Sequence, residues 1–288
     1  MLKRSNITWT DYSGGDANFV IRGRTAGDCE VSPGCANCYA GAILRRNTQT
    51  PEHTAYYPDK LARLARWQPL DADVTTYRRG RGSRPMVFVC DMGDLFHEAV
   101  PDWFILDALG AMAYRGDVDW QVLTKRPARM ADIVRMYGGW PANVWAGVTV
   151  EDQTRADERI PLLLKVPAQV RLLSCEPLLG PLDLTHIPYQ GDTAYLLDVL
   201  RGEYGNGNGG TSFCFGMSSL KPVNWVIVGG ESGPRRRAFD VTWARVLRDQ
   251  CQAAGVAFFY KQGTALRPGQ DNFLDGRLWQ QFPRGGGK

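Results

Sequence analysis

The folds open to this sequence are limited most by a rhythm that starts after Pro85. Six short, largely apolar runs follow one another: Met86-Val-Phe-Val-Cys90, Trp120-Gln-Val-Leu-Thr124, Val144-Trp-Ala-Gly-Val148, Val170-Arg-Leu-Leu-Ser174, Trp225-Val-Ile-Val228 and Val256-Ala-Phe-Phe-Tyr260. β-Branched and aromatic residues suit a pleated, buried surface, so each run reads as a strand. Most are separated by helical patterns, at Trp103 to Tyr114, Arg126 to Tyr137, Gln153 to Leu164 and Thr242 to Ala254, the last closing at Gly255. Strands and helices in alternation imply parallel strands joined by right-handed crossovers. The alternating stretch Ile7-Thr-Trp-Thr-Asp11 adds a first strand. A set of six or seven parallel strands predicts an α/β protein built as a barrel or partial (β/α) barrel rather than a flat sheet.

The spacing breaks once, between Pro181 and Pro222, where Gly205-Asn-Gly-Asn-Gly-Gly210 marks a turn. Residues 181–222 are therefore expected as an inserted loop region within a single domain spanning 1–288. A chain of this length, 44% hydrophobic and 22% charged, can bury a barrel-sized core. No segment approaches the roughly 18 apolar residues of a membrane span, and no apolar run follows Met1-Leu-Lys-Arg4, so a cytoplasmic protein without a membrane partner is expected. With 34 basic against 30 acidic residues, bulk charge gives no argument for nucleic-acid binding. Locally, Arg78 to Arg84 and Arg235-Arg-Arg237 are basic clusters, read either as solvated loop or as contacts to an anionic substrate.

Three of the seven cysteines fall in Cys29-Glu-Val-Ser-Pro-Gly-Cys35-Ala-Asn-Cys38, spaced C-x5-C-x2-C, just ahead of a helical pattern at Tyr39 to Arg46. An odd count with three packed together is unlike a disulfide framework and points to a reducing compartment with metal or redox chemistry. Three thiolates leave a four-ligand metal site incomplete. They suit an iron-sulfur cluster with one open iron, or a zinc whose fourth ligand lies elsewhere. Cys90 and Cys175 read as buried cysteines without a ligand, and Cys214 and Cys251 as structural. His97 reads as a zinc ligand, a substrate contact, or a locally hydrogen-bonded histidine.

Polar residues recur where the apolar runs end: Asp91-Met-Gly-Asp94, Lys125-Arg126, Thr149-Val-Glu151, Cys175-Glu176, Gly229-Gly-Glu231-Ser232 and Lys261-Gln262. In a (β/α) barrel such positions converge on one rim, where active sites lie. Lys125, Glu176 and Lys261 are candidate catalytic or substrate-positioning groups, with ion pairs under the rim as the plainer alternative. Asp157-Glu-Arg159 is expected to be solvated.

Taken together, Val31-Ser-Pro-Gly-Cys-Ala-Asn-Cys-Tyr39, Gly93-Asp-Leu-Phe-His97, Val122-Leu-Thr-Lys-Arg-Pro127, Val144 to Val148, Leu173-Ser-Cys-Glu-Pro-Leu-Leu-Gly-Pro181 and Val226-Ile-Val-Gly-Gly-Glu-Ser-Gly233 resemble a phage and bacterial family. That family is described by its three-cysteine motif and regarded as radical-S-adenosylmethionine-like. The resemblance runs from about residue 7 to Gln262. It implies a partial (β/α) barrel of the radical-S-adenosylmethionine type, with a 4Fe-4S cluster on Cys29, Cys35 and Cys38 and S-adenosylmethionine on the open iron. It further implies one-electron cleavage of that cofactor and hydrogen abstraction from a substrate by the resulting 5′-deoxyadenosyl radical. Gly229, Gly230 and Glu231 look like the Gly-Gly-Glu element that grips the methionine amino group. Two features depart from the usual pattern: the first cysteine gap has five residues rather than three, and the Gly-Gly-Glu element follows the sixth strand rather than the second. After the second strand stands Asp94, the alternative partner for the amino group.

Three functions are consistent with these residues. The first is a radical S-adenosylmethionine enzyme acting on a nucleotide or nucleic acid base, with an electron donor as partner. The second is a metal- or cluster-containing protein that binds nucleic acid or a partner without catalysis. The third is a zinc hydrolase with Glu176 or Glu231 as base, disfavoured because catalytic zinc usually takes histidine and none of the three histidines lies near the cysteines.

Overall fold

The computed structural model describes residues 1–25, 27–47, 50–68, 84–189, 192–206 and 220–283. Most of the basic segment 78–84, the end of the 205–210 turn, Cys214 and residues 284–288 lie outside them. The chain forms two compact units, one made chiefly of residues 1–147 and the other chiefly of 148–166 and 170–283.

The first unit holds β1 (Lys3–Arg4), β2 (Tyr12–Ser13), β3 (Val20–Ile21), α1 (Tyr39–Leu44), β4 (Ala55–Tyr56), α2 (Pro58–Leu64), β5 (Met86–Phe88), α3 (Asp102–Tyr114), β6 (Asp119–Thr124), α4 (Pro127–Tyr137) and the first residues of β7 (Val144–Thr149). Its main sheet runs β1-β2-β5-β6-β7. Strand β2 pairs parallel with β5 and β5 with β6, while the edge pair β1 and β2 is antiparallel. Helix α3 buries Phe104, Ile105, Ala108, Leu109 and Met112, an i, i+3, i+4 stripe. At about 1.5–3 kcal/mol for each large apolar side chain removed from water, that stripe outweighs any difference in intrinsic helix propensity. Helix α4 stops at Gly138, whose φ of 77° supplies the left-handed residue that ends many helices.

The second unit holds the end of β7, α5 (Gln153–Leu163), β8 (Arg171–Cys175), β9 (Ile187–Tyr189), β10 (Asp192–Asp198), β11 (Glu203–Asn206), β12 (Trp225–Gly229), α6 (Val241–Ala254), β13 (Ala257–Gln262), β14 (Phe273–Leu274) and β15 (Arg277–Leu278). Its sheet continues β7-β8-β12-β13, with β12 parallel to both neighbours. The fold is thus mixed α/β, and its eight-stranded sheet is mostly parallel. Helices α5 and α6 are each started by an aspartate, Asp152 accepting from the Arg155 amide at 2.9 Å and Asp240 from the Thr242 amide at 2.8 Å. Gly255 closes α6 with φ 70°, as its sequence position predicts.

Three local expectations change. The stretch Ile7 to Asp11 is a turn, with the Thr10 amide bonded to the Ile7 carbonyl at 3.2 Å, and the strand begins at Tyr12. Asp11 and Thr10 do reach the sheet, since the Asp11 carboxylate accepts from the Met86 amide at 2.9 Å. The 181–222 segment carries a three-stranded antiparallel sheet, β11-β10-β9, rather than only loop. Arg159 is buried rather than solvated, because helical periodicity places it on the same face as Ala156, Ile160 and Leu163.

Candidate metal centre

The cysteine loop lies between β3 and α1. Strand β3 pairs not with the main sheet but with β4, so the loop leaves a small ribbon rather than a barrel strand. Its entry is held by Asp28, whose carboxylate accepts from the Gly23 amide at 2.9 Å, the Thr54 hydroxyl at 2.5 Å and His53 at 3.3 Å. Burial opposes the charge, but these donors hold the Asp28 carboxyl below the usual range. His97 adds a second brace: its Nε2 donates to the Asp28 carbonyl at 2.8 Å and its Nδ1 accepts from the Ala99 amide at 3.1 Å. Both ring nitrogens are used within the protein, which fits the local reading of His97 rather than a metal ligand.

Cys29, Cys35 and Cys38 are all free thiols. Pro33 to Cys35 form a short 3-10 turn, the Cys38 amide bonds the Cys35 carbonyl at 3.1 Å, and Cys38 directly precedes α1. Cys35 is buried and its sulfur lies 3.7 Å from both the Cys29 carbonyl and the Ser32 hydroxyl. Among the described residues, no three His, Cys, Asp or Glu side chains stand close enough together to hold a metal ion. The three sulfurs share one loop without converging.

Cys29 faces a charged wall built at the ends of β5 and β6. Arg126 Nη1 lies 3.9 Å from its sulfur and 3.1 Å from Asp94 Oδ2, while Arg126 Nε contacts both Glu98 oxygens at 2.8 Å. Asp94 is 5% exposed and well supplied with donors: the Phe96 amide at 2.9 Å, the Thr124 hydroxyl at 2.8 Å, the Lys125 amide at 3.2 Å and Arg126. Burial, helped by the Asp94 charge and opposed by Arg126 and Arg22, pushes the Cys29 thiol up to about 11. Burial works against the Arg126 charge too, yet its Glu98 and Asp94 partners raise its pKa. Arg22 is 3% exposed, and its Nε and Nη2 have no hydrogen-bond partner.

By residue type the loop supplies three free, soft sulfur ligands of the kind an iron-sulfur cluster takes, beside buried guanidinium groups, but they are not gathered into a ligand set.

The second unit gathers the other predicted residues. Glu231 is 8% exposed and held by Arg237, whose amide donates at 2.7 Å and whose guanidinium pairs with the carboxylate. Lys261 Nζ lies 2.9 Å from Glu176 Oε1. A Cβ on Gly229 would fall 2.8 Å from that same Glu176 oxygen, and one on Gly230 would fall 2.8 Å from the Gly263 backbone. Gly230 is thus required by packing against backbone, whereas Gly229 meets only the end of a side chain. Glu151, fully buried, pairs with Arg159 Nη1 at 2.8 Å.

This chain belongs to the DUF5131 family, described as a protein of unknown function, whose match covers residues 4–283. No curated protein and no solved structure matches it. For a DUF5131 member, then, the site must be read from its own residues. Asp94, Cys29 and the Lys125 backbone lie together in one unit. Glu176, Lys261, Gly229, Gly230 and Glu231 lie in the other. Arg22, Asp28 and Thr124 escaped the sequence reading, and Arg237, read there as solvated or as a contact to an anionic substrate, pairs with Glu231 instead. Arg126 had a signal, as a cation at a strand-to-helix junction before Pro127.

Among the described residues no helix is long and apolar enough to cross a membrane. Cys90, Cys175 and Cys251 are buried and free, and burial raises the pKa of each. Arg84, the described end of the first basic cluster, lies 3.5 Å from Asp119.

Proposed function

We propose that this protein is a radical S-adenosylmethionine enzyme on a partial (β/α) barrel, acting on a nucleotide or nucleic acid base. The observation that carries the reading is three free thiols on one ten-residue loop, with Cys29 against the Asp94 and Arg126 wall. Cys29, Cys35 and Cys38 would hold a 4Fe-4S cluster, and Asp94 or Glu231 would take the amino group of S-adenosylmethionine. Asp94 is the better supported of the two, because it shares a unit with the cysteines and its charge acts on Cys29. When bound, such a cluster supplies one electron to the sulfonium.

The chain's own residues do the holding. Asp28, His97 and the 3-10 turn fix the loop's backbone. Arg126 pairs with Asp94 beside Cys29. Lys125, whose amide donates to Asp94, would in this reading meet an anionic group of substrate or cofactor. Glu176 and Lys261 neutralise one another, so in this reading they orient polar substrate atoms rather than supply a free base.

A second reading, a cluster- or metal-holding protein without catalysis, draws on the pairing of both candidate carboxylates with arginine. The two are separated by one preparation. Protein purified without oxygen should contain about four irons and four sulfides per chain and absorb broadly near 400 nm. With dithionite and S-adenosylmethionine it should release 5′-deoxyadenosine. A cluster that never cleaves the cofactor supports the second reading, and colourless protein after anaerobic reconstitution removes both cluster readings.

A further inference from the structure

We infer that Arg235, Arg236 and Arg267, carried on two loops at one edge of the second unit's sheet, grip the phosphates of a nucleic acid strand. The inference rests on the substrate class in the reading above, a nucleic acid base, and is independent of the cluster. Strands β12 and β13 run parallel, with Val228 opposite Tyr260. The segments that follow them therefore leave from the same C-terminal edge, where open α/β sheets take their ligands. There the two segments are tied together. Ser232 bridges Ala265, the Gly233 amide donates to the Ala265 carbonyl at 3.1 Å, and the Ala265 amide donates to the Glu231 carbonyl at 3.3 Å. The Thr264 hydroxyl donates to the Arg237 carbonyl at 3.1 Å, which holds the arginine triplet against the second loop.

This framework sorts the cations. Arg237 turns inward onto the buried Glu231, its amide donating at 2.7 Å and its Nε at 3.1 Å. Arg235 and Arg236 stay exposed, and Arg267 is exposed on the neighbouring loop. Arg236 Nη1 closes its own turn on the Gly233 carbonyl at 3.1 Å, and its planar fork has further N–H groups to offer. The carboxylates of the same loops have other tasks: Glu231 pairs with Arg237, Asp240 caps α6, and Asp271 lies against Gly263. Guanidinium forks match phosphate oxygens in shape and charge. Three of them spread over two pinned loops suit the repeated phosphates of a strand better than the compact charge of a single anion.

The test uses the full chain without metal, titrated into fluorescein-labelled single-stranded DNA or RNA of mixed sequence over a range of KCl concentrations. At least one strand should bind, and binding should weaken as salt rises. Arg235→Gln, Arg236→Gln and Arg267→Gln combined should weaken it by at least about tenfold at low salt and flatten the log–log salt slope by about 2, since each phosphate contact on a single strand contributes about 0.7. Arg267→Gln alone stands in if the combined variant does not fold, and should flatten the slope by about 0.7. As a control, Arg245→Gln, Arg248→Gln and Arg277→Gln combined removes the same formal charge from α6 and β15 of the same unit and should leave binding and slope unchanged. An equal loss in the control assigns the binding to bulk charge and overturns the inference. So does a nucleoside triphosphate whose binding depends on Arg235, Arg236 and Arg267 while that of the strand does not. Absence of any strand binding overturns the inference and leaves the cluster reading to its own iron and 5′-deoxyadenosine measurements. Failure of the protein to take up iron, in turn, leaves the strand-binding result standing.

Discussion

The cysteine loop of the first unit and the strand ends of the second unit are both rich in ionisable groups, but they balance those groups differently. In the second unit each carboxylate singled out has a cation inside the same unit: Glu231 with Arg237, Glu176 with Lys261, Glu151 with Arg159. Glycines 229 and 230 are filled from within, by the Glu176 carboxylate and the Gly263 backbone. Around the cysteines the balance is incomplete. Three thiols carry no bond to one another, and Arg22 has two nitrogens without partners. Each unit keeps a buried guanidinium nitrogen without a partner, on Arg22 in the first and Arg171 in the second, so the contrast lies in the three unbonded thiols against the fully paired carboxylates.

The largest effects should separate the two regions outright. Cys35→Ala should remove essentially all bound iron from anaerobically reconstituted protein, while Cys251→Ala, buried in the second unit, should keep the full complement. Equal iron in both variants would break the contrast.

Next comes stability. Glu151→Gln strands the Arg159 charge in the interior and should cost about 3–5 kcal/mol by urea unfolding, in keeping with other buried pairs broken from one side. A cost below about 1 kcal/mol would mean that the second unit is not held by its own charges.

The two glycines give a finer test. Gly230→Ala drives a methyl group into backbone and should cost about 1–3 kcal/mol. Gly229→Ala meets only the end of the Glu176 side chain, which can turn away, and should cost less than Gly230→Ala in the same urea titration. The reverse order would show that the Glu176 and Lys261 pair is the more rigid element.

The smallest effect concerns pH. The Asp28 carboxyl is depressed in the folded protein, so its contribution is complete above the ordinary carboxylate pKa of about 3.9 and is lost as pH falls through the lower folded value. Hydrogen exchange at the Gly23 amide, measured against Asp28→Asn, should therefore differ between the proteins at pH 6 and converge as the pH drops below about 3.9. A difference that persisted into acid would assign the loop's anchorage to His97 instead.

Much of this was legible in the residues themselves. The six apolar runs from Met86 to Tyr260 are all strands, and the four helices between them stand within a residue or two of their predicted ends, because pleated and helical periodicities are local properties. The cysteine loop, too, was visible as a spacing. Ile7 to Asp11 was misread because alternation alone does not reveal a turn closed by backbone hydrogen bonds. The three-stranded sheet within 181–222 was missed because its antiparallel pairing joins residues through turns that the composition did not distinguish from loop.

Charge partners were the least legible part. Nothing in the sequence around Arg159 said that it would be buried against Glu151, nor did anything around Arg22 say that it would be buried with idle nitrogens. The chain by itself determined the order of strands and helices, the supply of three thiols and the polar residues at strand ends, since all of these depend on neighbours along the backbone. Tertiary structure alone decided which of those charges neutralise one another. Ion pairing and burial depend on distances between residues far apart in sequence, such as the 32 positions from Asp94 to Arg126.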